Sequence, residues 1–310
     1  MVRELIVLGT AAQVPTRDRN VNGYLLRWDD EGLLFDPGEG TQRQMGLAGV
    51  PASAITRILV THFHGDHCLG LPGVVQRLSL DRVAHPVRLY FPGGGRDFVD
   101  HLLNASVGHR TAQVVLCPVA AGVVDPGPPF ALVADRLAHG TETLGWRIEE
   151  PEGRQMLPDR LAAFGVAGEA IGKLQREGSV EMDGRRVSLH QTSTTRPGQR
   201  FAFLMDTRLC DAAFALAEGA DMLVCESTFL SADERLARAY GHLTAAQAGR
   251  IAAESGVRLL VLTHFSQRYP DESVLLEEAR EVFPDAVAAR DLARIPVPSR
   301  RVRVSPVAGA

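Results

Sequence analysis

The sequence predicts an α/β protein in which apolar strands alternate with amphipathic helices. Two observations support this prediction. Short apolar runs such as residues 5–8 and 201–204 are typical of strands, and stretches of helical period such as residues 69–80 and 244–254 lie between them. In addition, polar residues follow several of these runs directly. Sites in layered α/β proteins form in the loops at strand ends, so we expect a functional site there.

The composition is that of a folded protein, with 45% hydrophobic and 23% charged residues in 310. No run approaches the roughly 18 apolar residues that a membrane helix needs, and the first apolar run is too short for a signal peptide. We therefore expect a cytoplasmic protein without a membrane anchor. The formal charge of −4 argues against coating of nucleic acid by the whole surface but leaves room for a local basic patch.

The four cysteines contain no C-x-x-C pair, which argues against a thiolate zinc site and predicts free thiols. Further strands are expected at residues 24–28, 33–35, 58–61, 130–138, 221–225 and 259–262. Between residues 150 and 184 the alternation breaks down, and the segment is mostly polar with a modest helical period. We interpret it as an inserted, protruding arm and a candidate exosite within a single domain of residues 1–310.

The strongest motif is the run H-x-H-G-D-H, which follows the apolar residues 58–61. His62 and His64 are two residues apart, so in an extended segment both project from one face, and a turn at Gly65 brings Asp66 and His67 to the same point. Imidazole and carboxylate ligands together suit zinc, and also manganese. The alternative is a polar loop with structural histidines, which the density of ligand types in this run disfavours.

Six residues cannot complete the coordination of two metals, so distant ligands are required. His139, Asp206 and His264 are candidates because each follows an apolar run, although each alone is an ordinary structural polar residue. An aspartate can bridge two metals through its two oxygens. Four other histidines have no such placement and are expected to be ordinary surface or core residues: His85, His101, His109 and His190.

The H-x-H-x-D-H run resembles the metallo-β-lactamase superfamily, and longer motifs resemble its ribonuclease Z family of tRNA 3′-processing endonucleases. The similar segments extend along nearly the whole chain: PTRDRN at 15–20, FDPGEGTQ at 35–42, GDH at 65–67, GLPG at 70–73, MDTR at 205–208 and THFSQRY at 263–269. The resemblance implies a four-layer αβ/βα sandwich with a protruding arm. It also implies metal-dependent phosphodiester hydrolysis.

The resemblance further implies which residues bind the metals, expected to be two Zn²⁺ per chain, with Mn²⁺ as an alternative. One ion would be held by His62, His64 and His139, the other by Asp66, His67 and His264, with Asp206 bridging the two. Asp66 would also orient or deprotonate the nucleophile.

Two catalytic residues are implied only by the resemblance. Glu226, in CEST where the family has HEAT, would orient His242, in HLT where the family has HST. In the family this histidine contacts the scissile phosphate and assists the leaving oxygen.

The implied substrate is precursor tRNA, and the family's typical assembly is a homodimer in which one subunit's arm grips tRNA for the other's site. Arg17, Arg19 and Asn20 of the PTRDRN loop and Lys173 of the arm are the candidate substrate-binding residues. The arm lacks the family's prolines and aromatic residue, so the catalytic match is stronger than the substrate-binding match. Two alternatives remain: a hydrolase of small phosphodiesters or aryl sulfates, and a non-catalytic RNA- or metal-binding protein.

Overall fold

The structure is a computed structural model that describes residues 2–108 and 111–300, so His109 lies outside the described residues. The chain divides into two compact units. The first comprises Met1–Glu149 and Arg200–Pro298, and the second is built on Glu150–Gln199. Within the described residues, no helix combines the length and apolar character needed to cross a membrane.

The strands are numbered in chain order. They are β1 (Arg3–Gly9), β2 (Gly23–Trp28), β3 (Glu31–Phe35), β4 (Arg57–Leu59), β5 (Val87–Pro92), β6 (Val114–Val119), β7 (Gly122–Asp125), β8 (Ala131–Arg136), β9 (Leu144–Glu149), β10 (Gly153–Met156), β11 (Ser179–Met182), β12 (Arg185–Ser188), β13 (Ser193–Arg196), β14 (Arg200–Leu204), β15 (Met222–Glu226), β16 (Leu260–Thr263), β17 (Ala286–Ala288) and β18 (Arg294–Pro296).

The α-helices are numbered in the same way. They are α1 (Thr41–Leu47), α2 (Gly65–Cys68), α3 (Leu71–Leu80), α4 (Arg96–Leu103), α5 (Pro158–Ala163), α6 (Glu169–Glu177), α7 (Leu189–Thr192), α8 (Asp211–Ala217), α9 (Glu234–Tyr240), α10 (Ala245–Glu254) and α11 (Ser273–Val282).

The first unit contains two seven-stranded sheets. One has the strand order β18-β1-β2-β3-β4-β5-β6, and the other has the order β17-β16-β15-β14-β9-β8-β7. In each sheet one half is parallel, namely β3 to β6 in the first and β14 to β17 in the second. The metal motif, Asp206 and His264 follow the carboxyl ends of parallel strands, whereas His139 follows the antiparallel strand β8.

Alternate side chains of the central strands pack into apolar cores on opposite faces of their sheet, and these cores show how the layers are stacked. In β1, Leu5 and Val7 pack in a core that contains residues of both sheets, including Phe201 and Phe203 of β14. The opposite face of the first sheet packs with residues of α1, α3 and α4, and that of the second with residues of α8 to α11. Since both faces of each sheet are covered, the strands are apolar on both sides. The predicted four-layer αβ/βα sandwich is confirmed.

The second unit contains two small two-stranded antiparallel sheets, β10 with β13 and β11 with β12, together with α5, α6 and α7. It has an apolar core of its own, built on Leu161, Val166, Leu174, Val180 and Val187. The chain enters it after β9 and leaves it before β14, and these two strands pair antiparallel. The unit extends beyond the expected end at residue 184, because β13 is needed to pair with β10. Its role as a protruding exosite stays a prediction.

Candidate metal centre

The metal motif lies at the carboxyl end of β4. His62 and His64 occupy the loop after the strand, and Asp66 and His67 lie in the short helix α2, which begins at Gly65. The expected helix at residues 69–80 begins only at Leu71.

The motif meets residues from the ends of three strands of the second sheet: His139 after β8, Asp206 after β14 and His264 after β16. Three overlapping groups of side chains each bring their ligand atoms within 4.8 Å of one another, and one of them consists of Asp206, His242 and His264. The other two are the candidate ion sites. One group consists of His62, His64, His139 and Asp206, and the other of Asp66, His67 and His264. These two groups coincide with the two ligand sets that the sequence analysis expects.

Asp206 lies between the two groups, and its two oxygens face different partners. Oδ2 lies 3.5 Å from Nε2 of His62 and 3.6 Å from Nε2 of His139. Oδ1 lies 3.5 Å from Nε2 of His67 and 3.3 Å from Nε2 of His264. A carboxylate in this position can contact an ion in each group.

Hydrogen bonds on the far side of the imidazole rings determine which nitrogen faces the centre. The Thr61 hydroxyl donates to Asp36 Oδ2 (2.7 Å), so it accepts from Nδ1 of His62 (3.0 Å). In the same way, Nδ1 of His139 donates to the carbonyl oxygen of Gly241 (2.9 Å). In each case the lone pair of Nε2 is left facing the centre, which is the state that a metal ligand requires.

The second group is oriented by the same principle. Nδ1 of His67 lies 2.8 Å from Asp36 Oδ2 and donates to it. The Thr228 hydroxyl donates to Glu226 (2.6 Å) and therefore accepts from Nδ1 of His264 (2.8 Å). Asp36 is fully buried and also accepts the backbone N–H of Thr61 at 2.7 Å. It thereby connects ligands of both groups.

Three residues at the site have an unusual backbone conformation. Asp36, Asp206 and His264 each directly follow or nearly follow a strand, and each has a positive φ, of 42°, 49° and 58°. Non-glycine residues rarely adopt this region, and such strain is concentrated at functional sites. Here it turns each side chain toward the cluster at the point where its strand ends.

The electrostatic field keeps the carboxylates ionised. Burial acts to raise the pKa of Asp206, but the neighbouring His264, His67 and His242 outweigh it and hold the pKa well below its usual range. For Asp66 burial also acts upward, and His67 and His264 bring the pKa below its usual value. Burial lowers the pKa of His62 well below its ordinary value, which favours the neutral ring.

The donor set fits divalent metal ions. Asp206 Oδ1 is buried and has no hydrogen-bond partner among the described residues, although buried carboxylate oxygens are normally satisfied. A cation placed between Oδ1 and the neighbouring Nε2 atoms would satisfy this oxygen. Mixed imidazole and carboxylate donors with open positions are typical of catalytic sites for zinc and related first-row metals.

Glu226 and His242 lie beside the cluster and contact each other. Nδ1 of His242 is 3.2 and 3.1 Å from the two oxygens of Glu226, which is completely buried. Backbone N–H groups of Thr207 (2.6 Å) and Leu243 (3.2 Å) also donate to this carboxylate.

Burial acts to lower the pKa of His242, but the charges of Glu226 and Asp206 raise it to about 9. The ring of His242 packs 5.3 Å from those of His139 and His264, measured between centroids.

The cluster opens into a cavity of about 380 Å³, whose lining includes His64, Asp66, His139, Asp206 and His242. Residues of both ligand groups therefore face the same space as His242, which Glu226 supports. A phosphodiester in this cavity can contact all three.

The candidate substrate-binding residues are not gathered at this cavity. Arg17 is exposed, whereas the guanidinium of Arg19 donates to the carbonyl oxygens of Tyr269 (3.1 Å) and Pro270 (3.0 Å) and to Glu272 (3.0 Å). Asn20 donates to the carbonyl oxygen of Glu39 at 2.8 Å. The contacts of Arg19 and Asn20 anchor their loop. Lys173 is exposed on α6 of the second unit.

Several contributing residues were not selected from the sequence. Thr61 and Thr228 orient ligand histidines, and the backbone N–H of Gln13 donates to Asp66 Oδ2 at 2.9 Å. Asp36 follows β3 directly, and this position after a strand is the same signal that Asp206 and His264 carry in the sequence. The threonines carry no comparable signal.

Comparisons with known proteins agree with the geometry. A model of the metallo-beta-lactamase superfamily matches residues 16–159, and a beta-lactamase superfamily domain model matches residues 177–265. Ribonuclease Z of Salinispora arenicola (strain CNS-205) is 58% identical over 306 residues, covering 97% of this chain and 98% of that protein. Ribonuclease Z of Nocardia farcinica (strain IFM 10152) is 59% identical over 302 residues, covering 96% and 99%. The crystal structure of the short form of human tRNase Z matches with a TM-score of 0.70 at 25% identity, covering 96% of this chain and 100% of that one.

Proposed function

This chain belongs to the ribonuclease Z family of the metallo-β-lactamase superfamily, and we propose that it is a metal-dependent endoribonuclease acting on precursor tRNA. It cleaves the RNA at the 3′ side of the tRNA and removes the trailer, leaving a 3′-hydroxyl. The observation that carries the proposal is the contact of 3.1 Å between His242 and Glu226 directly beside the two ligand groups. Metal binding alone needs neither residue, whereas a leaving ribose oxygen needs a proton.

The ligand groups support two metal ions, and we propose that both are Zn²⁺. The two groups would hold these ions, which would supply Lewis-acid chemistry toward the phosphoryl group and the attacking water. Asp206 holds its two oxygens toward the two groups, and His62 and His67 keep their Nε2 atoms directed inward through their outer hydrogen bonds.

Side chains of the protein carry out the proton transfers. Asp66, held by the backbone N–H of Gln13, orients the nucleophile and accepts its proton. His242 carries a proton on the side facing the cavity and donates it to the 3′-oxygen as the P–O bond breaks. Glu226 is completely buried and receives four hydrogen-bond donors, which fixes the ring of His242 and favours its charged form.

We further propose that the protein is a homodimer and works in the cytoplasm. The dimer is the family's typical assembly, and the cytoplasmic location is the expectation from the composition of the sequence. The oligomeric state can be measured by sedimentation velocity on the full chain, for which a sedimentation coefficient matching twice the mass of 33.5 kDa is expected. A purely monomeric species at working concentration would contradict the dimer.

The substrate assignment is tested by side-by-side kinetics. Precursor tRNA, a 2′,3′-cyclic nucleotide and an aryl sulfate are compared by kcat/KM, with RNA cleavage mapped to the nucleotide. We expect one cut just after the discriminator base and a clear preference for the RNA, because a long substrate supplies remote binding energy that orients one phosphate at the metals. Faster turnover of either small substrate, or scattered RNA cuts, would contradict the assignment and leave a two-metal hydrolase.

A further inference from the structure

A second cavity of about 510 Å³ adjoins the metal cavity. The two share Gln13, Tyr240 and His242 in their linings. Among the described residues, the lining of the second cavity includes none of the seven candidate metal ligands. His242 thus stands at the boundary between a space that contains the ligands and a space that does not.

Tyr240 is held rigidly at this boundary. It is the last residue of α9, and Gly241 ends the helix in the left-handed conformation with φ of 81°. The backbone N–H groups of Gly241 and His242 both donate to the carbonyl oxygen of Ala237, at 2.9 and 2.8 Å. A Cβ atom on Gly241 would lie only 2.8 Å from Nδ1 of His139. The position of Tyr240 is therefore tied to the metal ligand His139 and to His242.

The ring of Tyr240 is exposed and can contact a ligand. It is 59% exposed, and behind it lies the ring of Phe229, nearly parallel at 17° with centroids 6.4 Å apart. Phe229 itself is buried. No hydrogen bond to the Tyr240 hydroxyl occurs within the described residues. A supported aromatic face that is open to a cavity is what single-stranded RNA recognition uses to stack an unpaired base.

Another part of the cavity lining is polar and basic. Gln267 and Arg268 are exposed in the loop after β16, close in sequence to the metal ligand His264. The guanidinium of Arg268 has no ion-pair partner among the described residues. An aromatic ring together with an unpaired guanidinium matches a nucleotide, which has a flat base and a charged phosphate.

The chemistry decides which nucleotide belongs there. A cut that leaves a 3′-hydroxyl breaks the bond between phosphorus and the 3′-oxygen of the nucleotide on the 5′ side. His242 donates its proton to that oxygen, so this nucleotide lies next to His242. The phosphate lies at the candidate metal ligands. We propose that the second cavity binds the discriminator nucleotide of precursor tRNA and that its base stacks on Tyr240. The proposal rests on the function proposed above.

The test combines protein variants with altered RNA. Wild type, Tyr240→Ala and Tyr240→Phe are assayed on intact precursor tRNA, on precursor tRNA with an abasic discriminator nucleotide, and on precursor tRNA with an abasic first trailer nucleotide. The bound metal per chain and the melting temperature are measured for each protein, because a merely structural role of Tyr240 would change them.

With intact RNA, Tyr240→Ala should lower kcat/KM about 5- to 150-fold, which corresponds to the ~1–3 kcal/mol that stacking of one base contributes. Tyr240→Phe should stay near wild type because the ring is kept. On RNA with the abasic discriminator, wild type and Tyr240→Ala should become equal, whereas the abasic trailer should leave their difference intact. The bound metal per chain and the melting temperature should not change.

Three results would overturn the proposal: an undiminished effect of Tyr240→Ala on the abasic discriminator RNA, an effect abolished only by the abasic trailer nucleotide, or a loss of bound metal in Tyr240→Ala. Failure of the proposed function looks different, because wild type itself would then not cut intact precursor tRNA after the discriminator base.

Discussion

The Nδ1 atom of His242 lies 3.1 and 3.2 Å from the two carboxylate oxygens of Glu226, and this carboxylate is completely buried. The contact joins the end of β15 to the segment just before α10 and brings the imidazole to the edge of the metal-ligand cluster. Glu226 is not among the residues that line the metal cavity, whereas His242 is. Any effect of Glu226 on the substrate must therefore pass through His242.

The first prediction concerns this pair. His242→Ala should lower kcat on precursor tRNA by ~10²–10⁴-fold, because a positioned proton donor is lost, and the metal content should stay unchanged. Glu226→Gln should show a smaller loss and an altered pH–rate profile, since His242 keeps its place but loses the charge that supports its protonated form. Turnover and metal per chain are measured together. Near-normal turnover of His242→Ala would contradict the proton-donor role.

The second prediction concerns metal stoichiometry. Protein purified without chelator should contain close to two transition-metal ions per chain by elemental analysis. Asp206→Asn should reduce this number, because one of the two oxygens is replaced by an NH2 group, which cannot bind a cation. Arg77→Ala, which removes an exposed ion pair with Asp81, serves as the control and should keep both ions. Fully active wild type with one ion would show that Asp206 does not bridge.

The third prediction concerns Asp36, which holds Nδ1 of His67 at 2.8 Å and accepts two hydrogen bonds from Thr61. Asp36→Asn should weaken metal affinity about 10- to 100-fold, as is usual when an outer partner of a ligand histidine is removed. The measurement is competition with a chromogenic chelator. Asp29→Asn, which alters a partly exposed ion pair with Arg3, should leave affinity unchanged. Unchanged affinity in Asp36→Asn would make Asp36 a structural residue only.

The fourth prediction concerns the second unit. The backbone N–H of Glu150 donates to the carbonyl oxygen of Gln199 at 3.0 Å, so a short glycine-serine linker can replace residues 152–197. The shortened protein should hydrolyse bis(p-nitrophenyl) phosphate almost normally and show a strongly raised KM for precursor tRNA. Its RNA affinity should also depend less steeply on salt, because fewer phosphates are neutralised. An equal loss on both substrates would place the segment in the catalytic machinery.

The sequence predicted eight of the 18 strands in the described residues, namely β1 to β4, β8 and β14 to β16, and it named the side chains that converge at the candidate metal centre, because these depend on local patterns. The run at residues 62–67 is contiguous, and Asp206 and His264 each end an apolar strand, so their convergence follows from the sheet. The supporting contacts do not follow in this way. Thr228 orients His264 across 36 positions of the chain, and that pairing exists only once β15 and β16 lie side by side. The end of the second unit was missed for a similar reason, since β13 is recognisable only by its pairing with β10.

The ligand cluster draws His62, His64, Asp66 and His67 from the first sheet, and it draws His139, Asp206 and His264 from the second. Ions bound there would connect one sheet to the other at the ends of their strands. A ligand that binds only the folded chain adds about 2.7 kcal/mol of stability at a free concentration 100 times its dissociation constant. If both ions bind as proposed, the melting temperature of the protein should rise with the free metal concentration, and the metal-free chain should be unfolded by heat and cut by proteases more readily than the loaded one.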